Sequence, residues 1–279
     1  MSSITGSPIT GAALVGGIAG NPITHSLSPV IHNAWIAAAG MDAAYVPFAP
    51  TDAAGFEALV AAGRAGLVTG LNVTAPFKEQ AFALADTASN AARLSASANI
   101  LAFDKGRIHA DSSDGLGMMR ALAEQAPALD VAGHAVVLLG AGGAARAAAG
   151  VLVEAGAQVR ILNRSRERAE TLAADLGPAV RVVADVEAFP DAVLVINALS
   201  IQPNLDLSRL SPETVVMDMT YRPLATPLLL AARARGLTTV DGLAMLIGQA
   251  APSFEAIFRQ PAPALDLRPL LLARLGEAT

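Results

Sequence analysis

The stretch His134–Gly140 (HAVVLLG), followed directly by Ala141-Gly142-Gly143-Ala144-Ala145, constrains the fold more than any other part of the chain. A β-rich apolar run enters a glycine turn, and Gly143–Glu154 then reads as an Ala-rich helix. A strand feeding a helix through G-x-G-x-x-(G/A) opens a βαβ unit, and each small residue has a steric task in it. Gly140 permits the tight turn, Gly142 lets a pyrophosphate approach the backbone, and Ala145 lets helix and strand pack closely. The helix N-terminus offers free N–H groups to phosphates. Such turns also arise for packing alone, so context decides. Gln158–Leu162 reads as the next strand, and it ends in Asn163-Arg164-Ser165-Arg166-Glu167-Arg168. A site for NAD usually carries an acid at this tip to hold the ribose 2′-OH. Here three arginines stand instead, and a 2′-phosphate matches the guanidinium fork. The expected ligand is NADP. Arg166 also fits an ordinary solvated helix start, a reading that suits Arg164 less well.

Further strand-like runs at Val180–Val183, Val193–Ile196, Val215–Met217 and Thr238–Val240 alternate with helical segments such as Ser165–Asp175 and Pro227–Arg235. Strands that are apolar throughout indicate a parallel sheet covered on both faces. The first half is a second α/β unit, with strands at Ala13–Ile18, Ala44–Phe48 and Gly70–Val73 and helices at Ser28–Ala39 and Thr51–Ala62. A hairpin is expected around Asp104-Lys105-Gly106, with arms Ile100–Phe103 and Arg107–Ala110, and then a helix over Gly115–Ala126. Beyond Gly242 the chain is largely helical, over Leu243–Arg259 and Leu265–Leu275. A length of 279 residues is about two domains of ~150 residues.

Hydrophobic residues make up 53% and charged residues 15%, which excludes a disordered chain. A net charge of -5 leaves no basic footprint for nucleic acid. With no cysteine there is no disulfide, thiol catalysis or Cys-ligated metal. The first 41 residues lack charged side chains, yet Pro, Asn, His and Ser interrupt them, and no apolar run reaches the ~20 residues of a membrane span. A soluble, cytoplasmic protein is expected.

Of the 19 basic residues only Lys78 and Lys105 are lysines. Lysine can give up its proton in a protein whereas arginine cannot, so a lysine here is a candidate for proton chemistry. Lys78 follows the strand Gly70–Val73 in Asn72-Val73-Thr74-Ala75-Pro76-Phe77-Lys78, and ligands bind at strand ends of α/β units. In Gly20-Asn21-Pro22-Ile23-Thr24-His25-Ser26-Leu27-Ser28-Pro29, Ser28 before Pro29 has the form of an N-cap. The same geometry would place two hydroxyls where a carboxylate ligand is favoured. Both roles stay open. His25 and His32 have no carboxylate or cysteine cluster beside them, so packing is expected rather than metal binding. Asp114, in Asp111-Ser112-Ser113-Asp114-Gly115, is either a helix cap or a catalytic acid. Asp218-Met219-Thr220-Tyr221-Arg222-Pro223 and Asp241-Gly242-Leu243 follow later strands, on the expected cofactor side.

Taken together, GNPITHSLSPVIHN (20–33), NVTAPFK (72–78), ASANIL (96–101), DSSDGLG (111–117), GAGGAARA (140–147), NRSRER (163–168), INALS (196–200), DMTYRPLATPLL (218–229) and DGLAMLIGQAAPSFE (241–255) resemble the shikimate dehydrogenase family nearly end to end. The resemblance implies reversible NADPH-dependent reduction of 3-dehydroshikimate to shikimate, a step of aromatic amino-acid biosynthesis. It also implies an N-terminal substrate domain over 1–114 with the C-terminal helices 249–279 returning to it, and a Rossmann-type NADP domain over 115–248. Carried over by motif, Lys78 and Asp114 look like the catalytic pair. Ser26 and Ser28 look like the hydroxyls that hold the substrate carboxylate, with Thr74, Asn99, Tyr221 and Gln249 as further substrate contacts. Gly140, Ala141, Gly142, Gly143 and Ala144, with Asn163, Arg164, Ser165 and Arg168, look like the NADP site, and Met219 and Gly242 would border the nicotinamide. No metal is implied, and the chain would act as a monomer or homodimer on a small molecule.

The sequence departs from the family pattern at Ser112-Ser113, where Asn-Thr is common, at Ile100, where Thr is common, and at Leu199 in the segment that usually reads Asn-Ala-Thr-Ser. These departures bear on substrate preference and rate. The rival readings are a quinate/shikimate enzyme of the same family, a non-catalytic shikimate-binding paralogue, and another two-domain NADP dehydrogenase such as a folate-linked one. Retention of both Lys78 and Asp114 argues against the second, and the Ser-x-Ser-Pro segment against the third.

Overall fold

In the computed structural model, which describes residues 9–184, 189, 191–199 and 201–276, contacts divide the chain between Met1–Ser113 with Ala250–Thr279 and Asp114–Gln249. Ser200, the last residue of the INALS segment, lies outside the described residues.

The first unit opens with β1 (Leu14–Ala19), α1 (Ser28–Ala38), β2 (Ala43–Phe48), α2 (Ala53–Arg64) and β3 (Gly70–Val73). β2 and β3 flank β1, both parallel to it. Pro47 has no N–H to give a ladder, and β2 tolerates it because that strand lies at the sheet edge. Asp52 caps α2, its carboxylate accepting the Gly55 N–H at 2.8 Å. Next come α3 (Lys78–Ala83), β4 (Thr87–Ala88) and α4 (Asn90–Ser95), which periodicity does not reveal because runs of two to six residues hold too few repeats. α4 is started by Ser89, whose hydroxyl accepts from Ala92 N at 3.1 Å. The expected hairpin is present as β5 (Ile100–Asp104) and β6 (Arg107–Asp111). It turns on Lys105 and Gly106, at φ 47° and 76°, the positive values that two-residue hairpin turns require. The sheet order is β2-β1-β3-β5-β6-β4, with β5 antiparallel to both its neighbours.

Ser28, expected as the N-cap of α1, is instead its first helical residue, and Leu27 holds the cap position without a side-chain bond. The physical reason lies two residues upstream, where the Ser26 hydroxyl already accepts the Ser28 N–H at 3.2 Å.

The two faces of this sheet bury different chemistry. Leu71 and Val73 of β3 pack with Phe56, Val60, Phe77, Leu101 and Ile108, and the Phe56 and Phe77 rings stack 4.8 Å apart. Asn72, between them in sequence, points to the opposite face. There it meets Tyr45, which stacks on His32, while Trp35 and Phe254 pack against the same imidazole.

The second unit contains α5 (Asp114–Gln125), β7 (Ala135–Leu139), α6 (Gly143–Glu154), β8 (Gln158–Leu162), α7 (Arg166–Leu176), β9 (Val180–Val182), β10 (Ala192–Asn197), β11 (Val215–Asp218), α8 (Pro227–Ala234) and β12 (Thr239–Val240). The helix α9 (Gly242–Phe258) begins in this unit, and α10 (Arg268–Leu275) belongs to the first. All five strand pairings are parallel, in the order β12-β11-β10-β7-β8-β9. That is the doubly wound Rossmann order, reversing direction between β7 and β10. Val136, Leu138, Leu194, Ile196 and Met217 face one layer, with residues of α5, α6 and α7. Val137, Leu139, Val195 and Val216 face the other, against Leu228, Leu229 and Ala232 of α8. Burial on both faces is why these strands read as uninterrupted apolar runs.

Candidate active site

In the first unit the parallel strands diverge between β1 and β3, the kind of position where α/β sheets bind ligands at strand C-termini. The loops leaving these strands are stitched together. Thr74 N donates to Ala19 O at 2.9 Å and Asn21 N to Ala75 O at 3.1 Å. Gly20 makes the close approach possible, since a Cβ there would come within 2.3 Å of Thr74 Cγ2. This brings the Ser26–Ser28 turn and the Thr74–Lys78 turn to one sheet edge. Ser28 Oγ and Thr74 Oγ1 make no hydrogen bond among the described residues, and the Ser26 O–H is still free to donate. Lys78 is the first residue of α3, half-buried, and its carbonyl accepts the Ala98 N–H at 2.9 Å.

Asn99 immediately precedes β5, the strand antiparallel to β3, and its carbonyl accepts the Val73 N–H at 2.9 Å, so it lies at the same edge. It is buried, with Oδ1 accepting Ser113 N at 2.9 Å and Nδ2 donating to Ser113 Oγ at 3.2 Å. His25 is exposed. His32 is buried in aromatic surroundings, where desolvation lowers its pKa to about 3 and keeps the ring neutral. Among the described residues no group of His, Cys, Asp and Glu could hold a metal ion.

In the second unit, Asp114 is buried at the first turn of α5. α5 and α9 come together at Gly117, where a Cβ would sit 2.7 Å from Gln249 Cβ and 2.8 Å from Met245 O. The absence of side chains there lets the helices meet, placing Gln249 about one turn from Asp114. Tyr221 is half-buried in the loop after β11. Asp241 is committed to structure, receiving Ala244 N at 2.9 Å and Gln125 Nε2 at 3.0 Å.

A cavity of about 660 Å3 opens at the C-terminal ends of β7, β8 and β10, where the strand order reverses. Gly140, Ala141, Gly142, Asn163, Arg164, Ser165 and Arg168 line it. Gly140 sits at φ 116°, closed to other L-residues without strain. Gly142 is the N-cap of α6, and a Cβ there would meet nothing within 4 Å, so the first-turn N–H groups are sterically open. Arg164 and Arg168 are exposed and make no ion pair among the described residues. Arg166, by contrast, pairs with Glu170 at 2.7 Å along the helix surface. Asn163 Nδ2 donates to Ser165 O at 2.7 Å, which shapes the turn that presents the arginines. These residues fit an anionic dinucleotide bearing a phosphate on its ribose.

Gly143 and Ala144 lie in the first turn of α6 rather than in the cavity wall, and Met219 and Gly242 also lie outside the lining. Those last two are adjacent to each other, because a Cβ on Gly242 would sit 2.4 Å from Met219 O. The apolar side of the cavity is Leu199, Ile201, Pro203 and Leu205; of these the sequence singles out only Leu199, as a departure from the family pattern and not as a cavity wall. The segment after β10 carries no charge or glycine signal, and only its place beside the strand reversal points to it.

A Rossmann-ordered sheet with an open helix N-terminus, and two arginines that make no ion pair among the described residues, define the class, a nicotinamide-dinucleotide-dependent α/β oxidoreductase. Comparison with known proteins narrows it. Residues 18–101 match the family model for the shikimate dehydrogenase substrate binding domain, and residues 121–204 match that for shikimate / quinate 5-dehydrogenase. The NADP(+) shikimate dehydrogenase of Caulobacter vibrioides is 54% identical over 96% of this chain and 98% of its own. The crystal structure of shikimate 5-dehydrogenase from Thermus thermophilus in complex with NADP(H) and shikimate is 32% identical, with a TM-score of 0.81 over 90% of this chain and 95% of that one. Quinate dehydrogenase from Corynebacterium glutamicum in complex with NAD is 28% identical, with a TM-score of 0.84 over 94% of this chain and 99% of that one. The chain belongs to the shikimate dehydrogenase family.

Proposed function

We propose that this protein catalyses the reversible NADPH-dependent reduction of 3-dehydroshikimate to shikimate in aromatic amino-acid biosynthesis. It works in the cytoplasm on a small molecule, as a monomer or homodimer, and its partners include neither nucleic acid nor membrane. Among the described residues no helix is long and apolar enough to cross a membrane. We take residues 1–114 and 249–279 as the substrate domain and 115–248 as the NADP domain, although contacts group Asp114 and Gln249 themselves with the second unit. One observation carries the reading. The loops that carry Ser26, Ser28, Thr74 and Lys78, with Asn99 beside them, lie at one sheet edge where parallel strands diverge.

Ser26 and Ser28 donate to the substrate carboxylate at the start of α1, where the helix dipole favours negative charge. Thr74, Asn99, Tyr221 and Gln249 orient the ring hydroxyls. When bound, the nicotinamide supplies the hydride for reduction and takes it back in oxidation. Met219 and Gly242 border it. As the ketone becomes an alkoxide, the Lys78 ammonium donates the proton that completes the alcohol. In the oxidation direction the Lys78 amine takes that proton from the shikimate hydroxyl. Asp114 is assigned as the acidic member of the catalytic pair. Gly140–Ala144 cradle the pyrophosphate, with Asn163 and Ser165 shaping the turn and Arg164 and Arg168 reading the 2′-phosphate.

Steady-state rates with shikimate and with quinate, each with NADP and NAD, test this directly. Shikimate with NADP should give the highest kcat/KM. Turnover of quinate at a comparable rate would instead make the protein a quinate/shikimate enzyme, the outcome for which Ser112 and Ile100 give most room. Binding of shikimate without any turnover would make it a non-catalytic paralogue.

A further inference from the structure

Beneath the sheet edge of the first unit, Tyr45 is 1% exposed and its ring stacks on His32, with centroids 4.1 Å apart and planes 5° from parallel. Its hydroxyl donates to Asn72 Oδ1 at 2.7 Å. The amide of Asn72 passes the connection on, since Nδ2 donates to the Asn99 carbonyl at 3.0 Å and to Ser253 Oγ at 2.9 Å. Only one orientation of that amide serves. The Asn99 carbonyl already accepts the Val73 N–H at 2.9 Å, and a reversed Asn72 would set one acceptor against another. With Oδ1 therefore directed at Tyr45, the phenol must be the donor. Burial keeps it protonated, pushing its pKa well up. His32 adds no charge to this arrangement, because its ring is neutral.

The members of this relay come from strands and helices far apart in sequence. Tyr45 is on β2, Asn72 on β3, Ser253 on α9 and His32 on α1. They meet under Asn99, whose side chain in turn engages Ser113. Tyr45, Asn72 and Ser253 are buried and hydrogen-bonded, the condition under which a buried polar network holds one geometry, whereas His32 joins them by stacking alone and its Nδ1 has no hydrogen-bond partner among the described residues.

We infer that Tyr45 and Ser253 are positioning residues for substrate binding, acting through Asn72 to hold Asn99 at the angle from which its amide meets the substrate. The inference rests on the assignment of Asn99 as a substrate contact made above. Neither residue touches the reacting atoms. Removing the Tyr45 hydroxyl leaves Asn72 Oδ1 without its donor and frees the amide to turn. Removing the Ser253 hydroxyl releases one N–H of the same amide.

The test uses the full chain with NADP and shikimate. Tyr45→Phe should raise KM for shikimate about tenfold, the scale of one buried hydrogen bond, and leave kcat and KM for NADP within about twofold. Ser253→Ala should shift the same constant in the same direction by about threefold. A purely structural role would lower the melting temperature of these variants without moving KM for shikimate, and that result overturns the inference. Should Tyr45→Phe fail to fold, Ser253→Ala alone decides, and an unchanged KM for shikimate again overturns it. A wild-type protein that neither binds nor oxidises shikimate overturns the functional reading and this inference together. An active wild type whose variants are unchanged overturns the inference alone.

Discussion

At the sheet edge of the first unit, Asn72, Asn99 and Ser113 are buried and bonded to one another, while at the cavity of the second unit Arg164 and Arg168 project into solvent with no ion pair among the described residues. Each arrangement suits its ligand. A small polyhydroxylated acid must be told from its relatives by hydroxyl position, which needs donors and acceptors held rigidly. A phosphate needs only a concentration of positive charge and open N–H groups, which mobile surface side chains and a helix terminus provide. On the proposed assignment, the first unit would recognise by preorganisation and the second by electrostatics.

The strongest challenge to this contrast is Lys78→Ala. Losing a positioned proton donor should lower kcat by about 10³-fold and change KM for shikimate far less. Near-normal kcat in a pre-steady-state and steady-state comparison would remove Lys78 from the chemistry. Next in size is Arg164→Asp, which replaces a cavity-lining cation with an anion. The ratio of kcat/KM for NADP to that for NAD should fall by about 100-fold, the scale of a lost charge-assisted hydrogen bond with repulsion added. An unchanged ratio would show that the second unit does not read the 2′-phosphate with this side chain.

A third prediction sharpens the buried side of the comparison. The folded-state pKa of His32 is about 3, against an unperturbed 6.5. Between those values the unfolded chain binds the extra proton, so stability is complete above about pH 6.5 and is lost as pH falls toward 3. The contribution to the slope approaches about 1.4 kcal/mol per pH unit. His32→Phe should flatten the dependence of the urea midpoint on pH over this window, and an undiminished slope would place the titration elsewhere. The smallest effect belongs to Arg166→Ala. Its exposed pair with Glu170 is worth at most about 1 kcal/mol, and KM for NADP should not move. A marked rise in that KM would extend the phosphate site to a third arginine.

How much of this is legible in the sequence depends on the physical origin of each feature. The βαβ opening at Gly140 is readable because glycine, small side chains and apolar runs are all local signals, and α6 and β8 appear with the expected bounds. The arginine cluster is readable as charge, but only the structure separates Arg166, paired along its own helix, from Arg164 and Arg168, which line the cavity. Ser28 reads as a cap because the motif of hydroxyl before proline does not disclose that Ser26 serves the same N–H. α3 and α4 escape notice for want of length, although α3 begins at Lys78 itself. Tyr45 and Ser253 carry no signal at all, being ordinary residues whose partners lie 27 and 181 positions away from Asn72.

The rim position of Arg164 and Arg168 has a consequence for how such a protein changes over generations. Side chains anchored in solvent can be exchanged without repacking any layer beneath them, so one or two codon changes there could redirect the enzyme from one cellular pool of reducing equivalents to another. The amide relay under the other sheet allows no such easy drift. Ancestry would then leave its oldest imprint on the acid that is recognised, and its most recent on the currency with which it is reduced.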